Sequence, residues 1–307
     1  MKQNISLCLF HGDEAVQFVK CLSFSLEREI YTPFDSVTAE FLSDGSSYTG
    51  IDRIALYADD SCIFSGLVDY LQQYHKQNRS FVRIKSRSFT SLLTQNELPP
   101  GLHGNLTMHS LMTNFYQFPH ITYDNPEQTE YIFVKSGNTM WDGIVSFGYK
   151  ITGHYPYVTQ NHIHLLPPQE DFLIEFDNNQ ILESGICTDS TKLISDYHME
   201  NITGTADSYH ETNPQASAFQ IVRHKHIAFD QSFMYAPERA LTFRNLYSCR
   251  GCQSNYLLYD GFQNIMLGQR ITFSDLIQNQ ILCRINISFG TNGFRTKLFC
   301  YHDGFYN

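Results

Sequence analysis

Apolar and polar positions alternate along much of the chain, most clearly between Arg53 and Ser88. Ile54, Leu56 and Ala58 alternate with Ala55 and Tyr57, a period of two that predicts a half-buried strand over 54–58. Asp59-Asp60-Ser61 follows as a turn, because short oxygen-bearing side chains bond their own backbone there. Extended structure resumes over 62–70 around Gly66, a polar reversal is expected at 72–79, and a further strand over 81–88. On that strand Val82, Ile84 and Ser86 share one face, while Arg83, Lys85 and Arg87 share the other. A small-polar start and Leu92-Leu93 predict a short helix over 88–94, stopped near Pro99-Pro100-Gly101. Upstream, 5–10, 21–26 and 36–42 read as strands, broken at Tyr31-Thr32-Pro33-Phe34, with a loop at 44–50. About six strands before residue 95 are enough for a closed or nearly closed barrel.

The period changes after Gly101. Leu106, Leu111, Phe115 and Phe118 predict a helix over 106–118, stopped by Pro119. Thr139-Met140-Trp141-Asp142 is a capping box that opens a helix over 139–149, carrying Trp141, Ile144, Val145 and Tyr149 and ending near Gly153. Strands are expected over 155–166, with Pro167-Pro168 as a boundary. Further strands are expected at 172–176 and 193–202, a polar loop at 203–217, and strands at 219–222 and 227–233. Pro237 starts a helix over 237–247 with Ala240, Leu241, Phe243, Leu246 and Tyr247 as its apolar stripe. A strand with a Gly turn is expected over 264–273, then 281–289 and 294–301 paired about Asn292-Gly293. The expected fold class is mainly β (α+β), with two tube-type β-barrel units and a small α+β insertion between them. The first barrel takes residues 1–95, with 169–205 as a candidate to complete it; the insertion takes 96–168; the second barrel, with one helix, takes 206–307.

Composition narrows the function. A chain of 307 residues is long for one domain. Hydrophobic content of 42% and aromatic content of 14% supply buried cores. A formal net charge of −10 argues against a general nucleic-acid binder, which needs cationic surface to release phosphate counterions. The eight cysteines are scattered over a long chain, unlike a dense secreted disulfide scaffold, so reduced thiols are expected. No apolar h-region opens the sequence, and no run approaches the ~20 apolar residues of a membrane helix.

Candidate chemistry is sparse. Cys249-Arg250-Gly251-Cys252 has the spacing of a redox pair or half a zinc site, but no second C-x-x-C completes it. His224 and His226 volunteer as further ligands, and His162 and His164 alternate onto one strand face with no carboxylate at suitable sequence spacing. Ordinary buried thiols and a polar strand face are the expected readings, with no bound metal and no cofactor. The N-x-S/T sequons at Asn4, Asn78, Asn105, Asn201 and Asn286 read as chance products of composition, given no secretory signal. Nucleophile-elbow, Walker, H-E-x-x-H and calcium-loop motifs are absent, so no enzyme activity is expected. Arg83, Lys85 and Arg87 form a basic row in an acidic chain: either a solvated face or a candidate subunit interface toward an acidic neighbour.

One stretch resembles a known family. The run FSGLVDY, residues 64–70, followed by FVRIKSRSFTSLLTQNELPPG, residues 81–101, resembles the first barrel of phage baseplate hub proteins of the Mu-like and late-control type. In that family a strand ending in G-V is followed by a strand ending in R-S, a short helix and a loop like N-E-L-P-P-G. Gly137 to Asp142 similarly resembles the G-x-T/S-x-W-D start of the insertion between its barrels. The hub portion of type VI secretion spike proteins has the same fold. The resemblance implies a homotrimer at the end of a contractile phage tail or related particle, whose six barrels meet the hexameric tail tube and whose other end receives the spike. It further implies a virion or particle location after synthesis in the bacterial host cytoplasm. Membrane and sequence-specific nucleic-acid partners are not implied, though DNA passes through such a lumen. The sequence ends at Asn307, just past the last hairpin, so a separate spike chain is expected. The alternative is a β-rich binding module for carbohydrate or receptor.

Overall fold

The computed structural model describes residues 4–167, 173–302 and 304–306. Six strands open the chain: β1 (Ile5–His11), β2 (Glu14–Glu29), β3 (Ser36–Leu42), β4 (Arg53–Ala58), β5 (Ser61–Lys76) and β6 (Arg79–Ser88). Antiparallel pairing runs β1–β4–β5–β6–β3–β2 and returns from β2 to β1, so these strands form a ring. Closure removes the unpaired edges that an open sheet exposes. Inward alternation fills the ring with Leu7, Leu9, Leu26, Phe41, Ile54, Leu56, Ile63, Val82 and Ile84, all buried. The reversal expected at 72–79 sits at its far end: Gln77 and Asn78 have φ of 49° and 58°, a turn that matches strand twist. The ladder outruns the apolar pattern because β5 and β6 go on hydrogen bonding where both faces meet solvent.

The insertion follows. It contains β7 (Gly101–Leu106), α1 (Met108–Asn114), β8 (Thr122–Tyr123), β9 (Glu130–Val134), α2 (Met140–Thr152), β10 (Tyr157–Thr159) and β11 (His162–His164), preceded by the short helix Phe89–Thr94. The capping box at α2 is formed: the Asp142 amide donates to Thr139 Oγ1 at 3.2 Å, and the Thr139 amide donates to Asp142 Oδ2 at 2.7 Å. Gly153 closes the helix at φ 76°, where a side chain would be strained. Met140, Ile144 and Phe147 of α2 bury against Leu98, Leu111 and Ile132.

The remaining elements are β12 (Leu173–Glu175), β13 (Ile181–Thr188), β14 (Asp196–Met199), β15 (Tyr209–Thr212), α3 (Pro214–Ala218), β16 (His224–Ile227), α4 (Pro237–Cys249), β17 (Gln253–Asp260), β18 (Arg270–Phe273), β19 (Ile277–Gly290) and β20 (Gly293–Tyr301). A second set of strands runs β12–β18–β19–β20–β17–β13. It joins the ring through β19 and β2, paired from Glu29↔Arg284 to Phe24↔Phe289. One apolar core therefore passes from Leu26, Phe41 and Ile54 to Leu257, Ile285 and Leu298. A smaller sheet, β15–β14–β16, lies against α4. No helix among the described residues is long and apolar enough to cross a membrane.

The mainly β class expected from alternation holds, and four expected helices form at Phe89–Thr94, Met108–Asn114, Met140–Thr152 and Pro237–Cys249. The described residues of 169–205 do not complete the first ring, because β1 and β2 already close it. Instead β12 pairs with β18 and β13 with β17. Pro168 and Phe172, named in the sequence reading, lie outside the described residues. The supposed polar loop at 203–217 contains β15 and α3, and Gln220, at φ 55°, breaks the strand expected at 219–222. Of the strand expected at 227–233 only Ile227 belongs to one, the last residue of β16, and Gln231–Phe233 is a short helix.

Candidate subunit interface

The basic row rides on β6, between β3 and β5. Burial along the strand alternates as its pattern requires, with Val82, Ile84 and Ser86 buried and Arg83 and Lys85 exposed. The outward face is not uniformly cationic, however. Register sets Arg83 opposite Glu40, and the guanidinium donates to Glu40 Oε2 at 2.9 Å. Tyr74 Oη donates to the same oxygen at 2.5 Å, and Arg83 lies 5.5 Å from the Tyr74 ring centre. Hydrogen bonding to Glu40 raises the pKa of both Arg83 and Tyr74. Arg87 grips Asp69 in a two-pronged contact at 2.7 and 2.8 Å, which raises its pKa further. Lys85 sits 5.7 Å from the Tyr70 ring centre, and among the described residues no carboxylate pairs with it. The acidic partners inferred for a neighbouring subunit are thus met in part within the chain. What remains is a mixed patch of Lys85, Tyr70 and two exposed ion pairs, suited to registering one surface on another.

The other singled-out residues fall elsewhere. Cys249 and Cys252 are buried in a small cluster with Leu193 and Ala216. Asn213 Nδ2 donates to Cys249 Sγ at 3.2 Å, and burial raises the Cys252 pKa. A low-pKa reactive thiol needs the opposite environment. His162 and His164 do have a carboxylate partner, contrary to the spacing argument. Parallel pairing of β11 with β8 brings Asp124 Oδ1 to 3.0 Å from His162 Nε2. Thr122 and Thr159 hydroxyls occupy other imidazole nitrogens of the pair at 2.7 Å each. His224 and His226 stand on β16 and meet His198, Asp196 and Asp207, which sequence spacing did not associate with them.

No family model and no curated protein matches this chain. Solved structures do match. A tail protein from Neisseria meningitidis is similar at a TM-score of 0.73 and 11% identity, with 100% of this chain and 98% of that chain covered. The 43 kDa tail protein of prophage MuSo2 from Shewanella oneidensis is similar at 0.69 and 11%, covering 97% of each chain. An E. coli protein described as a component of the type VI secretion system, with structural similarity to T4 bacteriophage tail proteins, gives 0.57 and 8%, over 96% of this chain and 76% of that one. The chain therefore has, over its whole length, the fold of phage tail proteins and of a type VI secretion component. That agrees with the resemblance read at residues 64–101.

Proposed function

We propose that this chain is a structural subunit of a phage tail baseplate or a related contractile injection particle. Within that assembly it acts as the hub, a homotrimer joining the tail tube to a separate central spike. The observation that carries the reading is the fold match to two tail proteins, which covers 100% and 97% of this chain. The internal architecture supports it: two β units stand side by side on one continuous ladder, so three copies would offer six units to a sixfold tube. Exposed apolar residues on the outer faces, including Val16, Phe18 and Tyr70, fit a surface that is covered on assembly. The role is scaffolding and requires no catalytic group.

Light scattering coupled to size exclusion tests the reading directly. A trimer at micromolar concentration is the expected result. A monomer that binds glycans would overturn it in favour of a carbohydrate-binding module.

A further inference from the structure

The small sheet β15–β14–β16 has two unlike faces. Tyr197 and Met199 of β14 turn inward onto the core shared with Ala240 and Leu241 of α4. Alternation then commits Asp196 and His198 to the outer face. Register completes that face: His210 of β15 lies directly across from His198 on one side, His226 of β16 on the other, and His224 beside Asp196. The ring centres of His210, His226 and His224 stand 4.5, 4.6 and 5.5 Å from that of His198. The four imidazoles gather several ring nitrogens on one face of the sheet.

The separations suit a metal ion. Asp196 Oδ1 lies 3.2 Å from His210 Nε2, and Asp196 Oδ2 lies 3.6 Å from His224 Nε2. His198 Nε2 lies 3.2 Å from His224 Nδ1. Ligands held ~2.0–2.1 Å from a tetrahedral ion stand roughly 3.3–3.4 Å from one another, close to the separation of Asp196 Oδ1 and His210 Nε2; the two His224 contacts use different ring nitrogens, of which one could join them. Asp196, His198 and His210 each offer an atom within 4.8 Å of the other two. On the far side of the His198 ring, Asp207 Oδ1 is 3.4 Å from Nδ1. A carboxylate at Nδ1 is the usual outer support of a metal-ligating histidine, and Nε2, on the His224 side, is the nitrogen turned to the site.

We propose that Asp196, His198 and His210, with His224 adjoining, bind one divalent transition-metal ion, and that Asp207 orients His198. Imidazole with carboxylate and no thiolate selects the zinc, nickel and copper group over magnesium or calcium. The site is open to entry, since the Asp196 and His198 side chains keep 20% and 18% of their exposure and His210 keeps 44%. The ion would tie the strands on both sides of β14 to it, stiffening a sheet with only four residues per strand. This departs from the expectation of no bound metal, which weighed spacing along the chain and missed register across strands. It stands independently of the hub reading. The Asp124, His162 and His164 cluster is the weaker candidate, because threonine hydroxyls already engage its imidazoles.

The test uses the full chain stripped with chelator, dialysed against Zn2+ and assayed by elemental analysis, with Co2+ absorption reporting tetrahedral geometry. We expect about one ion per chain, and loss of that ion in His198→Gln and in His210→Gln. His210 is well exposed, so its variant keeps the fold even if the first does not. Asp207→Asn should weaken binding by about 10–100-fold, as outer-shell changes do. His162→Gln should bind as wild type. Failure of the wild type to take up metal, undiminished uptake by His210→Gln, or loss of uptake in His162→Gln would overturn the assignment.

Discussion

Arg28 holds the ring to the second set of strands. Its Nε donates to Asp35 Oδ2 at 3.0 Å, with both side chains less than 10% exposed. Its two other nitrogens donate to the carbonyl of Ile63, in the ring, and to that of Ile265, 3.4 Å away beyond β17. Burial raises the Asp35 pKa even beside this guanidinium, so attraction within the pair does not fully offset the loss of water. Asp35→Ala would strand a buried cation and should lower stability by about 3–5 kcal/mol in urea melts. The double change Arg28→Met with Asp35→Leu should recover much of that; a double variant as unstable as the single one would contradict this account. His164 illustrates burial acting on a base. Burial, and then His162, push its pKa down to about 4 from 6.5. The unfolded chain therefore takes up a proton that the folded chain refuses between those values. Stability should be full above pH 6.5 and fall as pH drops toward 4, and His164→Asn should flatten that part of the profile.

At the scale of elements, β5 runs close against β6 at Gly66, which pairs with Ser88. A Cβ built there would stand 2.1 Å from the Arg87 carbonyl oxygen, a backbone atom that cannot rotate away. The glycine is required by close approach of two backbones and not by an unusual φ. Gly66→Ala should force the strands apart and destabilise by at least about 1–3 kcal/mol, the usual range for overpacking. Equilibrium denaturation would measure it, and an unchanged midpoint would show that the hairpin can flex. The same junction sets Arg87 beside Asp69, so the ion pair at the end of the basic row should loosen with it.

For the whole molecule, the row on β6 offers a test of the proposed assembly. Arg83 and Arg87 already have carboxylates in their own chain, in exposed pairs of the kind worth about 0–1 kcal/mol. Reversing Arg83 would set two carboxylates across one strand pair, mixing a folding effect with any assembly effect. Lys85→Glu is therefore the cleaner probe. It should leave circular dichroism unchanged yet weaken trimer or tube association, most clearly at low salt, since at 0.1 M the screening length is only about 10 Å. Arg83→Glu with Lys85→Glu should weaken it further. Assembly like wild type at low ionic strength would reduce the row to a solvated face.

Local rules made much of this legible in the sequence. Alternation at 54–58 and 81–88, the capping box at Thr139 and Asp142, Pro237 at a helix start and the Asn292-Gly293 turn all act within a few residues, so their outcome is readable there. The tertiary structure alone decided which strands share a ladder. β13 is mostly exposed on both faces, so it carries no alternation to betray it. Ring closure by β1 and β2, and the bond between β2 and β19, depend on pairing energies summed over distant segments. The same applies to chemistry. Glu40 reaches Arg83 across 43 residues, and His224 reaches His198 across 26. Side-chain identity in sequence fixes what a group can do, but its partners are chosen by strand register, which only the folded chain possesses.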